Sequence, residues 1–292
     1  MKLLRRQLSQ GVNQARRLAL KAIGGRNRTA STQLGKLAFI DVKGTGPLPP
    51  VLLIHGLSAM SIDWDRVIGR LKKQCQGVRA IDLPGHGWSE RPREGMAQEP
   101  FLEMLTEAAE TFLDVPHHIV GSSLGGLMSI RLATYYPERV ASLSLISPAG
   151  TMATQAQLDT VLSVFEVEDW KRALGFVDAC MGENPPIRSL MALAVQSRVA
   201  HPNIQELLRE FSPKWLLKPE VLSALSMPVL LYWGLQDGIL GTSNLENYRT
   251  HLPPGTVCYT PKAQGHAPWL DGPLMDGSKP FVDRLVDFWS GL

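Results

Sequence analysis

A serine, an aspartate and a histidine in this chain stand in an order that suits acyl-transfer chemistry. Ser123 lies in Gly121-Ser122-Ser123-Leu124-Gly125-Gly126, where a strand-like run, His117–Gly121, passes directly into a helical one. A Gly-x-Ser-x-Gly at a strand-to-helix turn is a nucleophile elbow. The serine sits at a strained tip, and glycines two residues to either side let neighbouring backbone pass close. The bare pattern also arises from composition alone, and a capped turn would use Ser122 or Ser123 equally well, so it is the placement that carries weight. A serine hydroxyl is a poor nucleophile until a base takes its proton, and the base must be held in one tautomer by an acid. Asp237, in Gly234-Leu-Gln-Asp237, and His266, in Gly265-His266-Ala-Pro268, each follow a strand-like run. Both are expected at the strand carboxyl ends, on the edge that carries Ser123, where an open α/β sheet places its ligands.

The other six histidines read better as structure. His117 and His118 fall in or before a strand, His251 ends a helix, and His55 and His86 sit in tight turns beside glycines. His201 lies in a helical stretch where it could line a pocket, with no acid at a telling spacing. Acyl transfer also needs donors aimed at the developing oxyanion. The Leu124 N–H, just after the nucleophile at a helix start, is one candidate. The Leu57 N–H, in the turn His55-Gly56-Leu57 that leaves the run Pro50–Ile54, is the other.

These residues need a frame, and the pattern from residue 36 onward supplies one. Short apolar runs alternate with longer amphipathic ones, the signature of a parallel sheet covered by helices. Strands are expected at Leu37–Val42, Pro50–Ile54, Val78–Asp82, His117–Gly121, Leu143–Ser147, Pro228–Trp233 and Thr256–Tyr259. The alternation breaks over 150–218, which has helical periodicity without strands and reads as a helical cap inserted between core segments 34–149 and 219–292.

Residues 1–33 read as a separate leader. Nine basic residues and no acidic ones fall within 1–40, so the overall charge of +3 conceals a body of net −6. On a helical wheel Leu4, Leu8, Val12, Ala15, Leu18, Ala19, Ala22 and Ile23 share one side, opposite Arg6, Gln10, Asn13, Arg17 and Lys21, and Gly24-Gly25 ends the pattern. Such a helix suits peripheral contact with an anionic membrane through residues 4–23, an organellar (mitochondrial) transit peptide, or plain packing on the body. A secretory signal is a poor fit, because no continuous apolar core follows Lys2.

Composition excludes other classes. With 292 residues, 44% of them hydrophobic, the chain can bury a full core. No run approaches a membrane span. Cys75, Cys180 and Cys258 are odd in number and far apart, which disfavours a disulfide framework or zinc site and favours a reducing, cytoplasmic compartment. Nucleic acid is an unsuitable partner for an acidic body whose basic stripe lacks aromatics.

Together these residues resemble the α/β-hydrolase fold superfamily over about Leu37 to Trp289. Besides the elbow, the chain has that family's His-Gly loop with a downstream tryptophan (His55-Gly56 to Trp64), its Asp-x-Pro-Gly-x-Gly-x-Ser turn (Asp82 to Ser89), and its Gly-His-x-Pro loop running on to Asp271 and Pro273. The resemblance implies a doubly wound, mostly parallel sheet with a helical cap, a Ser-His-Asp triad of Ser123, His266 and Asp237, and acyl-enzyme chemistry that needs no cofactor or metal. A serine at the elbow disfavours the branches that use an aspartate nucleophile.

The expected substrate is a small hydrophobic ester, lipid-derived if the leader touches membrane. Thioester or carbon–carbon cleavage on the same triad is the alternative, and a non-catalytic binder on the same fold is the rival class. Met60, Trp269, Phe165 and Met191 are expected as pocket walls, the last two within an apolar, methionine-containing cap whose residues, Met152 included, must also pack against each other.

Overall fold

The structure, a computed structural model, describes residues 2–151, 154–183, 187–271 and 277–292, with the side chains of 2–10 and 12 outside the description. Met152 and Pro273 therefore lie outside the described residues, as do the side chains of Leu4, Leu8 and Val12.

Eight strands form one sheet in the order β1-β2-β4-β3-β5-β6-β7-β8. They are β1 (Arg26–Thr32), β2 (Gly35–Lys43), β3 (Val51–Ile54), β4 (Gly77–Ile81), β5 (His117–Ser122), β6 (Val140–Ile146), β7 (Val229–Tyr232) and β8 (Val257–Tyr259). From β4 through β8 every pairing is parallel, while β2 runs antiparallel to both β1 and β4. Parallel strands covered on both faces need apolar side chains on both. In β3, Leu52 and Ile54 pack into one core cluster and Val51 and Leu53 into the other.

Helix α1 (Lys2–Ala22) precedes the sheet, and α2 (Asp65–Leu71), α3 (Gln98–Phe112) and α4 (Leu124–Tyr135) follow in its first half. The cap contains α5 (Gln155–Ser163), α6 (Trp170–Cys180), α7 (Arg188–Val199) and α8 (Pro202–Glu210). Next come α9 (Pro219–Ser223), α10 (Gly241–His251) and α11 (Ser278–Ser290). Residues of α3, α4 and α10 fill one core cluster, and residues of α2 and α11 fill the other. A third, smaller cluster of Phe165, Val167, Ala173, Val177, Met181, Ala192 and Val199 lies within the cap.

Two features of the leader differ from the sequence expectation. Arg26–Thr32, expected within the separate 1–33 leader, is edge strand β1, paired antiparallel with β2 from Arg26↔Asp41 to Thr32↔Gly35. Its sequence, RNRTAST, buries only Ala30 fully, so no apolar alternation betrays it; the ladder to β2 carries the strand. Basic side chains on such an edge also discourage pairing with another chain. Helix α1, in turn, docks on the body by its polar face. Asn13, Arg16 and Arg17 are partly buried and Leu20 is buried, whereas Ala15, Ala22 and Leu18, the last 57% exposed, face outward.

Candidate active site

The elbow is visible in the backbone. Ser123 has φ +55° and ψ −120°, a strained conformation between β5 and α4, and Gly126, Leu127 and Ala149 all donate their N–H groups to its carbonyl. Crowding explains the flanking glycines. A Cβ on Gly125 would lie 2.2 Å from the Ile54 carbonyl oxygen, and one on Gly121 would lie 2.3 Å from that of Gly125. Gly56 crosses directly over the serine, where an added Cβ would stand 3.1 Å from the Ser123 Cβ.

Asp237 and His266 meet. His266 Nδ1 donates to Asp237 Oδ2 at 2.7 Å, and both residues are buried. The other carboxylate oxygen accepts the N–H groups of Ile239 at 2.8 Å and Leu240 at 3.0 Å. Burial alone would raise the Asp237 carboxyl, but the charge and hydrogen bond of His266 and these two donors outweigh it, and the group sits below its ordinary value. Asp237 thus remains a carboxylate and fixes the ring so that Nε2 is free to act.

The histidine loop is braced from below. Asp271 accepts the N–H of Gly265 at 2.8 Å and that of Gly182 at 2.9 Å, joining the loop to the end of the cap's α6. The carbonyls of Ala179 and Cys180, also at that end, accept the N–H groups of Gly238 and Ala267. The cap is therefore stitched to both loops that carry the acid and the base. Asp271 is visible in the sequence through its motif, whereas the α6 carbonyls carry no sequence signal.

Leu57 and Leu124 occupy the two turns expected of them, and among the described residues neither N–H has a protein acceptor. The remaining histidines are engaged in structure. Buried His55 donates from Nδ1 to the Gly56 carbonyl at 2.7 Å and accepts the Leu83 N–H at Nε2. Burial pushes His55 down to about 4 and His86 to about 3, so both are neutral around pH 7. Asp82, in the Asp-x-Pro-Gly turn, accepts the N–H groups of Ser61 and Trp88, and burial lifts it to about 6.

Ser123, His266, Leu57 and Trp269 line one cavity of about 400 Å³, a size suited to a small ligand. Phe165, Met191, Phe176 and Leu190 from the cap supply much of its apolar wall. Met60 is a correction: it does not line the cavity but is buried in the core cluster that holds Trp64, where the chain turns into the 3-10 turn Ser61–Trp64. Asn13 and Arg16 of α1 also line the cavity, a contribution no spacing could have revealed. His201 lines a separate cap depression of about 1170 Å³, which shares Phe165 with the first. Among the described residues no group of three or more His, Cys, Asp or Glu is arranged to hold a metal ion.

A sequence model of the family described as alpha/beta hydrolase fold matches residues 49–180. The chain is 28% identical over 254 residues to a pimeloyl-[acyl-carrier protein] methyl ester esterase of Nitrosomonas europaea, covering 81% of this chain and 96% of that one. It is 25% identical over 222 residues to the monoacylglycerol lipase ABHD6 of Homo sapiens, covering 69% and 65%. Among solved structures, a membrane phospholipase A superposes with a TM-score of 0.80 at 24% identity, covering 99% of this chain and 92% of that one. A 2-hydroxy-6-oxo-6-phenylhexa-2,4-dienoate hydrolase from Rhodococcus superposes with a TM-score of 0.74 at 20% identity, covering 91% and 98%. The chain has the α/β-hydrolase fold, and that family's sequence model matches its residues 49–180. With esterases and lipases as its sequence relatives, this α/β-hydrolase is an enzyme of the hydrolytic class.

Proposed function

We propose that this α/β-hydrolase cleaves a carboxylic ester of a small hydrophobic acid through an acyl-enzyme on Ser123. His266 takes the Ser123 proton as Oγ attacks the carbonyl, Asp237 holds the imidazole and balances its charge, and the Leu57 and Leu124 N–H groups stabilise the oxyanion. His266 then returns the proton to the leaving alcohol, and a water activated by the same ring releases the acid. The observation that carries this reading is the 2.7 Å His266–Asp237 pair, whose histidine lines the same cavity as a strained serine and an otherwise largely apolar wall. Relatives that are named esterases and lipases support an ester as the scissile bond. Replacing Ser123 with Ala should lower turnover of p-nitrophenyl butyrate by about four orders of magnitude or more. Turnover that survives the change refutes the assignment.

For location, no helix among the described residues is long and apolar enough to cross a membrane. We infer that α1 instead rests on an anionic membrane surface in a reducing, cytoplasmic setting. Its exposed side presents Ala15, Leu18 and Ala22, and the three cysteines are free thiols. A transit peptide would be removed, and its loss would take Arg16 out of the cavity wall, which argues for a helix that stays.

A further inference from the structure

Beyond the triad, a partly buried charge cluster lies beside the loop that carries Leu57. Asp63 stands in the 3-10 turn just after that loop, and its side chain is only 16% exposed. Its Oδ2 accepts the Met60 N–H at 3.0 Å, which ties down the far end of the segment Gly56–Met60. Two guanidinium groups from distant parts of the chain converge on the same carboxylate. Arg198 of cap helix α7 makes a bidentate pair with it at 2.6 and 3.1 Å, and Arg16 of α1 donates to Oδ1 at 2.8 Å. Arg16 spans further to Asp65, with contacts of 2.8 and 3.0 Å. Asp63, Arg198 and Arg16 all line the cavity that holds Ser123.

The segment they hold is strained. Ser58 has φ +61°, the left-handed region that favours glycine, and such a conformation persists only where its surroundings over-determine it. The near end of the segment is fixed by the His55 bonds to Gly56 and Leu83, and Ser61, one residue past Met60, donates its N–H to Asp82. The bond from Met60 to Asp63 restrains the part in between. Where an oxyanion donor sits matters on the scale of tenths of an ångström, since donors act only when aimed at the position the charge will occupy.

We propose that Asp63 is a positioning residue for the Leu57 N–H, and that Arg16 and Arg198 fix Asp63 so that the seating of both the cap and α1 is transmitted to the oxyanion-forming loop. This rests on the proposed role of Leu57. It adds that the oxyanion site is complete only with α1 and α7 docked.

The test compares Asp63→Asn, Arg198→Gln and Arg198→Lys with wild type on p-nitrophenyl butyrate, with thermal melting measured alongside. D63N keeps the side chain's shape but loses both ion pairs. Its kcat should fall on the order of tenfold to a hundredfold, short of the full loss of an oxyanion donor, with KM within about twofold. R198Q should lower kcat in the same sense, and R198K should recover a substantial part of it. A purely structural cluster would lower the melting temperature and leave kcat alone. Folded D63N with kcat within about twofold of wild type overturns the proposal. If D63N does not fold, R198Q decides by the same criterion. S123A run in parallel keeps the two readings apart: if S123A is inactive while D63N is unimpaired, only the positioning role fails.

Discussion

On one side of the cavity, Leu57, Ser123 and His266 stand on turns that follow strands of a single sheet, and each is held by backbone bonds or by loops too crowded for a side chain. On the other side, Phe165 from the turn after α5, Met191 and Arg198 from α7, and Arg16 from α1 come from the cap and the N-terminal helix, and the two arginines are joined to the body through side-chain ion pairs. The chemical side is thus made of local backbone geometry at strand ends. The substrate side is assembled from segments far apart in the chain, which is where relatives on one fold can diverge in what they bind. If that contrast holds, substitutions on the first side should abolish turnover, and those at the apolar cap residues Phe165 and Met191 should redirect it.

The sharpest test on the chemical side is Asp237→Asn. An amide keeps the shape of the carboxylate but favours the wrong histidine tautomer, and kcat should fall about 10⁴-fold. The same variant gives a pH signature. Because the native Asp237 carboxyl lies below its ordinary value, its ionised form contributes stability above that ordinary value, and the contribution is lost as pH falls through the lower native one. The melting-temperature gap between wild type and D237N should therefore be widest near neutral pH and close on acidification below the ordinary carboxylate range. A gap that widens on acidification would mean that His266 does not hold the carboxylate.

Asp271→Asn probes the bracing between the two sides. An amide offers one acceptor oxygen where the carboxylate serves both Gly265 and Gly182, so one buried N–H is left facing an NH₂ group. A loss of about 1–3 kcal/mol in stability is expected from the unsatisfied donor. A fall of about tenfold in kcat should accompany it as His266 loosens. Stability loss with wild-type kcat would show that the histidine loop does not need its tie to the cap.

The same division accounts for what could be read in advance. Ser123, Asp237 and His266 were legible because each belongs to a short motif at a strand end, and Gly125 because helix and strand approach too closely for a Cβ. Strand β1 was not legible, since Arg26–Thr32 lacks apolar alternation and is held by its ladder to β2. Met60 follows a loop that does line the cavity, yet packs inward because the chain turns there into a 3-10 turn. Arg16 pairs with Asp63 and Asp65, 47 and 49 residues away, and no local pattern encodes such a partner. The helical wheel of α1 put Asn13 and Arg17, which do turn inward, on its polar side, but it placed neither Arg16 nor buried Leu20, and Lys21 from the same side is exposed. The acids that receive Arg16 decided that the polar face turns inward.

On the substrate side Met191→Ala is the cleanest change, because Met191 lines the cavity yet is only partly buried, so little core packing is lost. Enlarging the wall should shift the preferred acyl length of p-nitrophenyl esters upward, with kcat/KM ratios between neighbouring lengths changing about tenfold. The kcat on the best substrate should hold within about threefold. An unchanged length profile would place the acyl chain elsewhere in the cavity.

The smallest effect on chemistry is expected from Leu18→Glu, which tests the outward face of α1 without touching the inward one. Leu18 is 57% exposed, whereas Arg16, Arg17 and Leu20 make the helix's contacts with the body. Turnover of a soluble ester should therefore stay at the wild-type level. Co-sedimentation with anionic liposomes should weaken, because a carboxylate replaces an apolar side chain that would enter the headgroup boundary and also opposes the lipid charge. Deleting residues 1–24 is a blunter comparison, since it spares β1 but removes Arg16 from the cavity wall along with the membrane face. If L18E and wild type sediment alike, the outward stripe does not bind lipid, and α1 serves only as a wall of the site. If L18E also loses turnover of a soluble ester, the two faces of α1 are not independent, and the division between a docking face and a membrane face fails.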